Sequence, residues 1–329
     1  MEYKDMAYFD KLKIICGTYL YHNYDYCYLS AMHKKNRIQG ADTIILGNSH
    51  AMNGIIEKEL LCAGDVISFC ISSQDLYYNF LHLKKAVSEG ARPIQRCLIN
   101  LGYYVLYWDL SKSETLKGII TRTYLNLFGE EYFHHFEQAK RDDLFEDDLV
   151  DAGMYPREVV EPLARFWSDQ VMHEQSSFYG DMMEREKNNL WGVDNVDWSS
   201  INDEQRKAYV NIRVVNGHNR HIKYKETREE NGEILKEMVS FLVKHHIKPY
   251  FFITPYTKHY MDTIHPAYLP DIYEALDALD TPVEFFDMNY YSDLVTNDDF
   301  IDADHLNING AHKATAVLND YIKMAEGKS

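Results

Sequence analysis

The sequence predicts an α/β protein: a three-layer α/β/α, flavodoxin-like parallel sheet in the order 2-1-3-4-5, with a large, mostly helical inserted cap. Three observations predict it. Short apolar runs recur at Thr43–Leu46, Val66–Ile71, Arg96–Gly102, Lys248–Pro255 and Val283–Met288, each the length of a strand buried on both faces. Helix-compatible segments separate them, as parallel crossovers require. Between the third and fourth runs lies a mostly helical stretch, 106–220, for which a minimal sheet of this kind has no place. The expected organisation is an N-terminal helical segment over 1–40, a core over 41–105 and 221–329, and a cap or lid over 106–220.

Composition narrows the function. A chain of 329 residues with 46% hydrophobic residues is globular and long enough for a core plus a cap. The formal net charge of −17 would repel a phosphate backbone, so no nucleic-acid partner is expected. The five cysteines are Cys16, Cys27, Cys62, Cys70 and Cys97. Their number is odd and no Cys-x-x-Cys occurs, which argues against a disulfide framework or a zinc knuckle. His218 and His221 have a spacing compatible with metal ligation but no third ligand in reach, so neither a metal nor another cofactor is expected. Residues 14–21 are too short an apolar run to span a bilayer. With no visible secretory signal, the expectation is a cytoplasmic protein without a transmembrane segment, association with the cell envelope remaining open. The sequence leaves oligomeric state undetermined. The 26 tyrosines suit sugar-stacking clefts as well as cores and interfaces.

The elements follow in order. Residues 1–40 read as helical and amphipathic, ending in the basic run His33-Lys34-Lys35-Asn36-Arg37. Thr43–Leu46 is the first strand, and Gly47-Asn48-Ser49-His50 turns tightly into a helix that continues through Glu57–Cys62. Ser49 thus stands at the carboxyl end of a strand, where open α/β sheets bind ligands, beside first-turn N–H groups free to hold an oxyanion. Ala63-Gly64-Asp65 is a turn. Val66–Ile71 is the second strand, and Leu76 to Gly90 a helix with a glycine stop. Arg96–Gly102 is the third strand. The cap carries the acidic run Arg141–Asp148, read as a solvated face, and recurrent aromatics from Trp108 to Trp198. A polar turn over 216–221 precedes a long helix, Lys225 to His245, with Ile234, Met238, Phe241 and Leu242 on one apolar face. Lys248–Pro255 is the fourth strand, Leu269–Leu279 a helix, Val283–Met288 the fifth strand and Ala311–Ala325 the last helix. Asp302 and His305 lie three apart after the fifth strand. Asp304 between them is expected to face solvent or cap the following turn.

A serine after the first strand and Asp-x-x-His after the last, in that chain order, resembles the SGNH hydrolase (GDSL-like) superfamily, closest to the branch that acts on cell-surface polysaccharides. The resemblance covers the first three strands and the last hundred residues. It implies Ser49 as nucleophile, His305 as general base and Asp302 as the residue that orients it. That logic is chemical, since serine is a weak nucleophile until a base takes its proton. In the family's oxyanion hole a glycine N–H falls at Ser73, and an asparagine falls at Tyr104; Asn100 is the nearby substitute. Asn48, His50 and Gln74 are the substrate-binding candidates. The implied function is an esterase or O-acyltransferase acting on an O-acetylated bacterial glycan, or another acylated small molecule, through an acyl-serine. A non-catalytic carbohydrate-binding protein on the same fold is the alternative.

Overall fold

The computed structural model describes residues 23–129, 134–135, 157–174 (side chains to 166), 198–291 and 293–327. The acidic run Arg141–Asp148, the whole segment 1–22 and the cap aromatics Tyr132, Phe133, Phe178, Tyr179 and Trp191 lie outside them. The chain divides into two compact units, one of Met1–Lys35 with Ser111–Phe178, the other of Asn36–Leu110 with Tyr179–Ser329. The boundaries therefore differ from those expected. Of the described residues, 23–35 group with 111–129 and 157–174, and 198–220 belong with the sheet.

The second unit holds a five-stranded, all-parallel sheet in the order β2-β1-β3-β4-β5, as the sequence predicts. Helix α1 (Tyr24–Gln39) leads into β1 (Thr43–Leu46) and α2 (Ser49–Gly54). Then come β2 (Val66–Ser68), α3 (Leu76–Glu89) and β3 (Arg96–Asn100). Helix α4 (Arg157–Glu174) belongs to the first unit. In the second unit α5 (Asp203–Val210), α6 (Lys225–Lys244), β4 (Lys248–Ile253), α7 (Tyr268–Asp277), β5 (Glu284–Asp287) and α8 (Ile308–Ala325) complete the chain. β1 pairs on both sides, Ile44 opposite Ile67 and Cys97, and every residue of it is buried. That double burial is why its sequence is an unbroken apolar run instead of an alternating one.

Helices flank the sheet and carry the connections between its parallel strands. Helices α3 and α6 pack together, as do α2 and α8. Two expectations fail locally. β2 stops at Ser68 because β1 turns away at Gly47: the Phe69 N–H still reaches the Ile45 carbonyl (2.9 Å), but Cys70 and Ile71 have no strand to pair with. Glu57–Cys62 forms two 3₁₀ turns, not a continued helix. Ile55 is already extended, and the 56–62 backbone is held by α8 instead, through Ile56 N–H to Thr315 Oγ1 (2.9 Å) and Cys62 N–H to Asn319 Oδ1 (3.0 Å).

In the first unit a π-turn, Ile120–Tyr124, runs into one turn of α-helix, Leu125–Phe128, and the His33 and Phe128 rings meet edge to face. Among the described residues no helix is long and apolar enough to cross a membrane.

Candidate active site

The site is built on the turn after β1. Gly47 passes so close to β3 that a Cβ would lie 2.8 Å from the Asn100 Cβ and 3.0 Å from the Ala51 Cβ. Both are β-carbons fixed directly to the backbone and have little room to yield. Gly47→Ala is therefore expected to cost about 1–3 kcal/mol by overpacking, read as a lowered urea midpoint, and to displace Ser49. Asn48 caps α2: its Oδ1 accepts the His50 N–H at 3.0 Å. The Ser49 N–H opens the helix and has no intrahelical acceptor.

At the other end of the chain, residues 302–305 form a tight turn. Asp302 Oδ1 accepts the backbone N–H groups of Asp304 (2.9 Å) and His305 (2.8 Å). The turn ends where Asn307 caps α8, its Oδ1 accepting from Asn309 and Gly310. The sheet order brings this turn to α2. His305 Nε2 lies 2.9 Å from Ser49 Oγ, and His305 Nδ1 lies 2.9 Å from Asp302 Oδ2. Ser49 is half-buried, whereas the Asp302 side chain is fully enclosed. With Nδ1–H donating to the carboxylate, Nε2 is left to accept the serine proton.

A second imidazole–carboxylate pair lies beside the first. His50 stacks on His305 with ring centroids 5.0 Å apart and planes 16° apart. Its Nδ1 lies 3.0 Å from Asn48 Oδ1 and its Nε2 3.1 Å from Asp304 Oδ2. Asp304 corrects the expectation of a solvent-facing residue. It is enclosed and clamped by Arg213, with Nε at 2.9 Å from Oδ1 and Nη2 at 3.0 Å from Oδ2. Arg213 sits in a π-turn, Asn211–Val215, that continues α5. Such turns re-aim side chains within a helix and are frequent at functional sites.

Burial works against charge throughout this cluster, and the neighbours decide the outcome. Burial opposes the Asp304 carboxylate, but Arg213, with His305 and His50, holds it well below the usual carboxylate range. For His305 burial is outweighed by Asp302 and Asp304, so its proton affinity is raised. His50 is pulled down by burial against the opposing pull of its Asp304 hydrogen bond. His218 is lowered well below its ordinary value by burial, and His221 is lowered to about 4, again by burial, helped by Lys223 and Arg220. These two do not form a metal pair. His218 Nδ1 meets the Tyr260 hydroxyl at 2.9 Å, and both rings stack on Tyr104. His50, Asp304 and His305 offer donor atoms within 4.8 Å of one another. However, both Asp304 oxygens are taken by Arg213, and the two rings lie face to face, so their in-plane lone pairs do not converge on one ion.

The other predicted site residues divide. Gln74 is wholly buried, its amide donating to the carbonyls of Gly47 and Phe69; it braces the turn and does not face a substrate. Asn48 and His50 are likewise buried and occupied with each other, which corrects their assignment as substrate contacts. Asn100 is corrected as an oxyanion donor. Its position opposite Phe252 in the β3–β4 register commits its amide to the Phe252 carbonyl, at 3.4 Å. The Tyr104 ring stacks 4.1 Å from His218 and meets His50 edge-on. Ser73 holds a left-handed backbone, φ 60°, and its carbonyl accepts the Trp108 indole N–H at 2.8 Å. A glycine takes that conformation without the roughly 1–2 kcal/mol penalty of a side-chain-bearing residue. Ser73→Gly is thus expected to leave stability unchanged or raise it by up to about 1 kcal/mol, measured by urea unfolding; a loss above that size would show that the Ser73 side chain holds the loop.

Sequence reasoning missed Arg213, the burial of Asp304, and Tyr256, whose enclosed ring lies 5.0 Å from His50. A cleft between α5 and the turn Lys258–Met261, lined by Lys207, Val210 and His259 among others, contains no triad residue. No protein-family model matches the chain, and no curated protein is similar to it in sequence.

Proposed function

We propose that this chain is an SGNH-type serine esterase or O-acyltransferase, acting on an O-acylated glycan such as an O-acetylated bacterial polysaccharide. One observation carries the proposal: Ser49 Oγ, His305 and Asp302 lie in a continuous hydrogen-bonded line, although 256 positions separate the serine from the histidine. An activated serine needs a base in reach and a group that fixes the base. In the reaction Ser49 Oγ attacks the ester carbonyl as His305 Nε2 takes its proton. The tetrahedral oxyanion is held by the N–H groups of Ser49 and Ser73. It collapses to an acyl-serine, and His305 returns the proton to the departing sugar oxygen. Water, or a second sugar hydroxyl, then takes the acyl group by the same steps in reverse. The raised proton affinity of His305 suits the base to its task.

The test is covalent trapping. The protein is incubated with a serine-directed alkyl phosphonate and the adduct located by peptide mass spectrometry. An adduct on Ser49 that requires His305 supports the proposal. A folded protein that leaves Ser49 unlabelled would sink it, and titration with O-acetylated oligosaccharides would then decide for simple glycan binding.

A further inference from the structure

The triad does not use His50, Asp304 or Arg213, yet these three groups surround its base. Asn48 Oδ1 accepts the His50 backbone N–H and lies 3.0 Å from His50 Nδ1, which fixes the ring beside the base. His50 Nε2 lies 3.1 Å from Asp304 Oδ2, and a neutral ring protonated at Nε2 donates to that carboxylate. Asp304 also faces the triad: its Oδ1 is 3.9 Å from His305 Nδ1. Arg213 reaches this carboxylate from the π-turn and places no atom in the triad's own hydrogen bonds.

We infer that Arg213, Asp304 and His50 form a second charge relay that sets the proton affinity of His305, Arg213 acting as a positioning residue through Asp304. The inference rests on the reading of His305 as the base. The groups facing the relay come from every element around it. They are Asn48 and Ser49 of the β1 turn, Tyr104 after β3, Tyr256 after β4, Tyr260 of the turn Lys258–Met261, His218 with Nε2 3.9 Å from Asp304, and Asp302 and His305 of the last turn. Tyr104 and Tyr256 are kept neutral by burial, and His218 likewise. Burial likewise favours neutral Tyr260 and neutral His50, so the charges that bear on His305 are those of Asp302, Asp304 and Arg213.

The relay makes predictions of opposite sign. Arg213→Gln removes a cation and leaves Asp304 unneutralised, so His305 should hold its proton to higher pH. His50→Gln removes the ring N–H that faces Asp304, leaves that carboxylate less stabilised and acts in the same direction. Asp304→Asn strands Arg213 near the base and should lower the pH at which His305 loses its proton. Each shift is expected to be about one pH unit, the size of a single charge within 4–6 Å. Arg213→Lys should restore the wild-type midpoint. The rate of Ser49 phosphonylation by the alkyl phosphonate is measured against pH for the wild type and the four variants. In parallel, the imidazole signals of ¹⁵N-histidine-labelled protein are titrated, assigned with His305→Gln. Because the signs differ, either the Arg213→Gln or the Asp304→Asn variant decides the matter if the other does not fold. Midpoints that stay in place, or move in one direction for both, would overturn the relay and leave Arg213 a structural tether. Failure of wild-type Ser49 to react would instead overturn the proposed function. The imidazole titration would still report whether Asp304 and Arg213 control His305.

Discussion

Replacing His305 with alanine is expected to slow transfer of a phosphonyl or acyl group to Ser49 by on the order of 10⁴-fold or more. At neutral pH the Ser49 hydroxyl keeps its proton, and the group placed to take it is His305 Nε2 at 2.9 Å. Asp302→Asn should cost a similar factor, because an amide can offer its N–H to Nδ1 and favour the wrong tautomer. The two losses should not add, since both remove the same proton transfer. Stopped-flow or timed quench measurement of adduct formation, with urea midpoints to confirm folding, checks this. A folded His305→Ala protein that reacts at the wild-type rate would refute the triad. The reaction should also depend on pH in one direction. In the proposed mechanism neutral His305 is the base, and its proton affinity is raised above the ordinary 6.5, so the rate should climb as pH rises through that higher value. The stability linked to the His305 proton runs the opposite way: fully present below about 6.5, it is lost as pH rises through the raised value.

Arg213→Met is expected to lower stability by about 3–5 kcal/mol, the usual cost of stranding one member of a buried ion pair. The Asp304 side chain is fully enclosed, and that of Arg213 is 30% exposed. Removing the guanidinium leaves Asp304 with His50 as its close remaining hydrogen-bonding side chain. The penalty has a pH signature. Asp304 is held well below its ordinary 3.8, so its contribution is present above that value and disappears as pH falls through the lowered one. The difference between Arg213→Met and wild type should therefore shrink in acid. Combining Arg213→Met with Asp304→Asn should recover part of the loss, because the stranded charge is gone. Urea unfolding at several pH values measures all of this. A loss below about 1 kcal/mol would show that the pair behaves as a surface bridge.

Parts of this molecule were legible because local chemistry dictates them. An unbroken apolar run such as Thr43–Leu46 has few fates besides a doubly buried strand, and five of them in series admit few topologies. The serine on a strand-to-helix turn and the Asp-x-x-His pair could be read for the same reason: their geometry is set by residues beside them. The errors lie where the partner is remote. Gln74 and Asn100 look like site residues along the chain, but one is enclosed beneath the turn and the other is committed to Phe252 across the sheet. Nothing near Asp304 announces that an arginine 91 positions earlier will neutralise it.

The sequence by itself determined the all-parallel sheet and its order, the position of Ser49 at the end of the first strand, and the local spacing of Asp302 and His305. These follow from periodicity and turn chemistry, which act over a few residues. Only the tertiary structure decided that Ser49 and His305 meet, that His50 lies stacked on His305, and that Arg213 closes on Asp304. Those contacts join segments far apart in the chain. The charges become strong only when the fold removes water from between them, and that depends on the whole arrangement of elements, not on any one segment.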